Sequence, residues 1–64
     1  MNKITKVNIY RDSNGIWYYA AWCGSEHDHN DIIPDAESET ASREWVQSQW
    51  PNADVRTVES VSAE

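Results

Sequence analysis

The sequence of 64 residues is poor in several residue types, and each shortage narrows what the chain can be. A single cysteine cannot form an internal disulfide, which favours a reducing, cytoplasmic setting. No apolar run approaches the length of about 18 residues that a membrane span requires. The first residues, Met1 to Lys6, also lack the apolar stretch of a signal peptide. We therefore expect a soluble protein that has no contact with membranes.

Basic residues are the next shortage. The sequence has five Lys and Arg residues and eleven Asp and Glu residues, which gives a net charge of −6. This charge argues against direct binding to nucleic acid and is compatible with binding to a basic surface. Such a short chain buries only about 60% of its unfolded surface. It has room for a single compact domain, residues 1–64, with one thin core.

What the sequence does contain is a strong hairpin signal between Val7 and Cys23. The segment Asp12-Ser13-Asn14-Gly15 fits a type I turn closed by a glycine bulge, in which the glycine needs a positive φ. This turn places Asp12 opposite Ile16, and the pairing then runs outward to Lys6 opposite Trp22. The register of the hairpin is therefore predicted by its turn.

Alternation along the two strands sorts their side chains onto two faces. A uniformly apolar core face is predicted to hold Val7, Ile9, Trp17, Tyr19, Ala21 and Cys23. The second face, called the open face below, is predicted to hold Lys6, Asn8, Tyr10, Ile16, Tyr18, Ala20 and Trp22. Its mixture of rings and polar groups is typical of a surface that meets water.

Two further strands and one helix complete the predicted order. The segment Glu26–Ile33, ending before Pro34, is expected to form a short third strand, although its register stays open. Apolar residues spaced three and four apart predict a helix over Ser38–Trp50, which Pro51 stops. Alternation over Val55–Val61 predicts a last strand. We therefore expect an α+β fold, with a small antiparallel sheet (β-β-β-α-β) and one helix packed on one face.

The start of the helix carries two further expectations. Either Asp35 or Ser38 can cap the first turn, where acidic side chains also suit the helix dipole. Glu39 and Arg43 are four residues apart, which predicts an ion pair along the helix surface.

Acidic residues are concentrated in one segment of the chain. No Lys or Arg occurs between Arg11 and Arg43, and the interval contains six carboxylates between positions 26 and 39. Helix capping accounts for the later ones but leaves the earlier ones unexplained. Carboxylates two residues apart on a strand are about 6.6 Å apart, the same order as neighbouring phosphates. The candidate partner-binding residues of this acidic segment are Glu26, Asp28, Asp31, Asp35, Glu37 and Glu39.

The rings of the open face are a second candidate surface. One helix leaves one side of the sheet uncovered, so Tyr10, Tyr18 and Trp22 are candidate partner-binding residues, most simply in a homodimer. The alternative is structural, with Lys6 in a cation–π contact over Trp22 and the two tyrosines paired across the strands.

A metal or catalytic site is the third hypothesis. On a regular strand His27, His29 and Asp31 would point to one side, and with Cys23 they offer zinc-type ligands. No paired Cys-x-x-Cys or His-Glu-x-x-His spacing supports such a site, and no glycine-rich phosphate loop is present. We therefore expect no cofactor and no enzymatic activity.

Parts of the chain resemble known classes of protein. The run Arg11–Tyr19 followed by Glu39–Trp45 resembles the three-strand-plus-helix arm-binding domain of phage-type integrases, whose DNA-reading sheet is basic where this chain is acidic. The layout is also similar to small antitoxin domains of the HicB type. In size and acidity the chain is similar to phage-encoded inhibitors, anti-restriction or anti-CRISPR, some of which act as DNA mimics.

These observations predict a non-catalytic inhibitor or regulator that docks on a basic surface of a nucleic-acid-handling protein. The alternative is an antitoxin-like homodimeric module that acts through the open face.

Overall fold

The computed structural model describes residues 3–59, which form one mixed sheet with one helix on it. The strands follow the order β3-β2-β1-β4 across the sheet. In chain order the elements are β1 (Lys6–Arg11), β2 (Trp17–Cys23), β3 (Glu26–Ile32), α1 (Glu39–Gln49) and β4 (Asp54–Thr57). The predicted α+β class and the order β-β-β-α-β are confirmed.

The turn between β1 and β2 has the predicted chemistry. Asp12 Oδ1 accepts hydrogen bonds from the backbone N–H groups of Asn14 and Ile16, both at 2.9 Å. Gly15 has a φ of 82° and donates its N–H to the Asp12 carbonyl at 3.0 Å. Every predicted pair of the β1–β2 ladder is present. Because the turn is stabilised by its own side chains, local sequence determines this register.

Of the two edge strands, β3 forms over the predicted segment, whereas β4 differs from expectation in length and direction. β3 is seven residues long and antiparallel to β2. β4 pairs with β1 in parallel, so the sheet is mixed rather than wholly antiparallel. β4 ends at Thr57, and the predicted continuation to Val61 lies partly outside the described residues.

Helix α1 crosses between the two edges of the sheet, because β3 and β4 run in the same direction on opposite sides. Ser38 caps the helix, and its Oγ accepts the Ala41 N–H at 3.1 Å. At the other end the Trp50 N–H donates to the Val46 carbonyl at 3.0 Å, and Pro51 follows. Within residues 3–59 no helix has the length and apolar character needed to cross a bilayer.

The predicted Glu39–Arg43 pair is replaced by two contacts to β4. Glu39 Oε2 accepts the Thr57 hydroxyl hydrogen at 2.6 Å, and Arg43 Nη1 donates to the Val55 carbonyl at 3.4 Å. Both side chains therefore connect the helix to the edge strand.

The core lies between α1 and the predicted core face. Val7, Ile9 and Val46 are fully buried, and Ser42 is also buried on the helix, where its small side chain permits close approach to the sheet. The Ser42 hydroxyl donates to the Ser38 carbonyl at 2.8 Å, so its burial leaves no unpaired donor. The other members of the core are Trp17, Tyr19, Ala21, Ile33 and Ala53.

Candidate functional site

The open face is the side of the sheet away from α1. The register of β3 and β4 adds further residues to those of the hairpin. Ile32, Asn30 and His27 are opposite Tyr18, Ala20 and Trp22, respectively, while Asp54 and Arg56 are beside Lys6 and Asn8. The open face is therefore wider than the hairpin alone predicts.

The tyrosines of this face pack on each other rather than standing free. The rings of Tyr10 and Tyr18 stack with centroids 5.6 Å apart and planes 12° apart. Asn30 Nδ2 donates to the Tyr10 hydroxyl at 3.3 Å. As a result Tyr10 is only 8% exposed, and of the two rings Tyr18 presents more surface to solvent. The predicted cross-strand pairing is present, and Tyr10 has little surface to offer a partner.

Trp22 occupies the other end of the open face. Lys6 Nζ lies 4.6 Å from the centroid of its ring, as the cation–π alternative predicts, and the His27 ring is 5.1 Å away. The Trp22 Nε1 donor and the Asn8 Oδ1 acceptor are buried without a hydrogen-bond partner. Trp22 is half-buried beneath its neighbours, so it too is partly covered within the chain itself.

Between the turn and β3 the open face carries exposed apolar surface. Ile16 is 40% exposed and Ile32 is 48% exposed, and Ile32 is directly opposite Tyr18. Ile16 precedes Tyr18 by two residues, so strand alternation brings it to the same side. We call Ile16, Tyr18 and Ile32 the apolar patch. The sequence placed Ile16 on this face but missed Ile32, because the register of β3 had no local signal.

One carboxylate, that of Asp12, lies beside the apolar patch on the turn side. The pKa of Tyr18 is raised above its usual value, first by burial and then by the nearby Asp12 carboxylate and its hydrogen bond with the ring hydroxyl. Asp31 is opposite Tyr19 and therefore lies on the helix side of β3, where its Oδ1 accepts the Ile32 N–H at 2.7 Å.

The acidic segment does not gather into one cluster. All seven residues of β3 are exposed, and Glu26 and Asp31 lie near opposite ends of this edge strand, roughly 17 Å apart along the chain at about 3.3 Å per residue. Glu37 and Glu39 follow around the start of α1. The acidic segment is therefore an elongated band along one edge and one end of the sheet.

The band ends in an open cleft that the sequence did not predict. This cleft of about 580 Å³ brings Glu59 and Arg11 beside Glu37 and Glu39. Trp17 also lines it, and the Arg11 guanidinium lies 5.7 Å from the centroid of that ring. Glu59 is twenty residues beyond Glu39 in the chain, so only the crossover through α1 to β4 brings them together. The remaining lining residues are Ser38 and Val58.

The histidines are separated by an irregularity in β3, contrary to expectation. Ala21 is opposite His29 and Trp22 is opposite His27, so Asp28 is an extra residue that interrupts the alternation. His27 therefore lies on the open face, whereas His29 lies on the helix side. The hypothesis of a joint site formed by Cys23 and the two histidines is not supported. Among residues 3–59 no group of three potential metal ligands is found.

His29 instead belongs to a hydrogen-bonded chain at the sheet edge. Its Nδ1 pairs with Asp28 Oδ2 at 2.6 Å, and its Nε2 is 3.2 Å from the Tyr19 hydroxyl. The rings of Trp45 and Trp50 pack on the other sides of Tyr19, with centroids 5.6 and 5.4 Å away. Burial, followed by the Asp31 charge, raises the pKa of Tyr19. These hydrogen bonds give the partly buried Tyr19 hydroxyl a partner, and the His29 ring also packs against Trp50, so β3 is linked to the end of the helix.

The architecture defines a small α+β protein in which a four-stranded mixed sheet carries a single helix. Comparisons with protein-family models, with curated proteins and with solved structures find no match for this chain.

Proposed function

We propose that this chain is a non-catalytic binding protein whose acidic segment docks on a basic surface of a nucleic-acid-handling protein. In this role it acts as an inhibitor or regulator that occupies a surface made for phosphates, in the manner of a DNA mimic. The proposal rests on one observation, which is that the acidic residues of β3 and of the segment leading into α1 have no basic residue among them.

Carboxylates occupy an edge that is open along its whole length. β3 has one neighbour, β2, and all of its residues are exposed, so its side chains can reach a partner without any rearrangement. An edge strand needs some charge to prevent pairing with other strands. The band continues past β3 to the start of α1, however, which edge protection does not require.

The cations belong to other segments of the chain, and of these Arg11 reaches the end of the band, at the cleft beside Glu37 and Glu39. Lys3 precedes β1, Lys6 and Arg11 belong to β1, Arg56 belongs to β4, and Arg43 belongs to the middle of α1. None lies on β3 or in the segment that leads from it into the helix. A partner with Lys and Arg side chains would therefore find a surface that is attractive over much of its length.

The proposal is tested by capture at low salt, elution in salt steps, and identification of the bound protein, followed by affinity measurements on the purified pair. We expect the affinity to fall steeply as salt rises, because exposed charges are screened. An affinity that does not depend on salt would contradict the proposal.

A matched pair of double variants separates charge position from net charge. Glu26→Gln with Glu37→Gln neutralises two exposed carboxylates of the acidic segment. Glu44→Gln with Asp54→Asn neutralises two exposed carboxylates outside it. We expect the first pair to weaken binding by about tenfold, since each exposed contact contributes roughly 0.2–1 kcal/mol, and the second pair to have a smaller effect. Equal effects would show that only total charge matters.

A further inference from the structure

Two of the four tryptophans are paired with a cation of the chain itself. The Arg11 guanidinium lies 5.7 Å from the centroid of the Trp17 ring, and Lys6 Nζ lies 4.6 Å from that of Trp22. A cation over an aromatic face is attracted by the negative charge density of the ring. The fold therefore uses its own basic residues to contact these two rings.

The other two tryptophans, Trp45 and Trp50, have no such contact with a cation of residues 3–59. They pack against Tyr19 at the edge of the core, with centroids 5.6 and 5.4 Å from its ring, and both stay partly exposed. The ring of His29, whose side chain is 43% exposed, lies 6.2 Å from that of Trp50. We call the rings of His29, Trp45 and Trp50 the aromatic edge.

The irregularity in β3 brings carboxylates to the same side as these rings. Because Asp28 is an extra residue, both Glu26 and Asp31 lie on the helix side, as His29 does. Asp31 is two residues from His29, or roughly 6.6 Å along the strand. Burial and then the Asp31 charge raise the pKa of Tyr19, so this carboxylate lies near the ring on which the tryptophans pack. The aromatic edge is therefore flanked by negative charge along β3.

The basic residues of the helix side make their contacts elsewhere. Arg43 donates to the Val55 carbonyl on β4, which is three strands and so roughly 14 Å from β3. Arg11 lies at the end of β1, where its guanidinium contacts Trp17. In the described part of the chain no Lys or Arg forms an ion pair with a carboxylate of β3 or a cation–π contact with the aromatic edge. A cation for this surface therefore has to come from another molecule.

We propose that the aromatic edge binds an arginine side chain of the basic partner, which stacks on the Trp50 ring and pairs with Asp31. This inference rests on the proposed function and names both the part of the acidic segment that binds and the side chain that it binds. Arginine fits better than lysine, because a planar guanidinium can stack on a ring and donate two hydrogen bonds to a carboxylate. Asp31 Oδ1 accepts the Ile32 N–H, and Oδ2 has no donor among residues 3–59.

Two synthetic peptides of equal length and charge test the inference. One has three arginines separated by glycines, and in the other lysines replace the arginines. Each is titrated into the full chain at several salt concentrations, and NMR follows the indole N–H signals of the tryptophans. We expect the arginine peptide to bind about threefold more tightly, with the larger shifts at Trp45 and Trp50. Trp17 and Trp22 serve as internal controls, because each ring already has a cation beside it.

Matched variants then assign the contributions of charge and ring. Asp31→Asn should weaken binding of the arginine peptide by about threefold, whereas Asp54→Asn, which removes one charge from the open face, should have a smaller effect. Trp50→Phe should reduce the preference for arginine, and Trp22→Phe should keep it. Asparagine can still accept the Ile32 N–H, and phenylalanine keeps a ring at each site, so the fold is expected to persist.

The outcomes separate this inference from the proposed function. Equal, salt-sensitive binding of both peptides would overturn the role of the rings and leave acidic docking in place. Shifts confined to Trp17 would place the contact at the cleft and would overturn the inference as well. Absence of salt-sensitive binding to either peptide would count against both. Sedimentation at several concentrations covers the remaining case, because a dimer whose formation shifts the Trp50 signal would identify a second copy as the occupant and overturn the inference.

Discussion

The two faces of the sheet exclude water by different means. On the core face Val7 and Ile9 are covered by a separate element, the helix, and are fully buried. On the open face no second layer exists within residues 3–59, yet Asn8 and Tyr10 are only 3% and 8% exposed. On this side the Tyr18 ring stacks on Tyr10, and Lys6 lies over the Trp22 ring. A chain this short can thus shield both sides of a sheet with only one helix.

The two faces also differ in how much each contributes to the stability of the fold. Helix cover removes whole aliphatic side chains from water, whereas ring cover leaves edges and polar atoms partly solvated. We therefore expect the core face to dominate stability and the open face to retain surface for binding. Three predictions test this division, from the largest expected effect to the smallest.

The largest effect is expected from the same substitution made on the two faces. Ile9→Ala removes a fully buried side chain beneath the helix and should lower the free energy of unfolding by about 2–5 kcal/mol. Ile32→Ala removes a half-exposed side chain and should change it by about 0.5 kcal/mol or less. Urea unfolding of both variants measures the difference, and similar losses would mean that the open face is also core.

The stacked pair on the open face should have an intermediate effect. Tyr10→Leu and Tyr18→Leu, alone and together, form a double-mutant cycle in which the coupling free energy of the two rings is expected to be about 0.5–1.5 kcal/mol. Because the Asp12 contact of Tyr18 is lost in both arms of the cycle, it cancels. A coupling near zero would show that the rings cover the sheet independently.

The smallest expected effect concerns Tyr19 on the core face, and it appears only at alkaline pH. Burial raises its pKa in the folded state, so folding favours the protonated hydroxyl. Its contribution to stability is complete below the unfolded pKa of about 10 and is lost as pH rises through the folded pKa. We expect the unfolding free energy to fall above that pH, and less so in Tyr19→Phe.

A phenylalanine variant with the wild-type pH profile would contradict this assignment. The range from pH 7 to 9 serves as the internal control, because tyrosine ionisation contributes little there in either protein.

The sequence was informative where structure is local. The side chain of Asp12 and the positive φ of Gly15 specify the hairpin turn, and the turn then assigns every side chain of β1 and β2 to a face. The bounds of the helix were also predictable from the sequence, because Ser38 can cap its start and Pro51 stops it. These features depend on residues within a few positions of each other.

What the sequence could not give depends on pairing between distant segments. No local signal indicates that Asp28 interrupts β3, and so the histidines were expected on one side. No turn in the sequence indicates that β4 is parallel to β1, because β2, β3 and the helix lie between these two strands in the chain. The exposure of Ile32 and the approach of Glu59 to Glu39 follow from those two pairings.

The parallel ladder between β1 and β4 has a consequence for biosynthesis. Lys6 leaves the ribosome well before its ladder partner Asp54, because the rest of the hairpin, β3 and the helix lie between them in the chain. The hairpin can close before β4 is synthesised, but the outer edge of β1 stays without its neighbour until β4 has also emerged. We expect nascent intermediates to expose that edge, and chaperones that bind extended segments to act there.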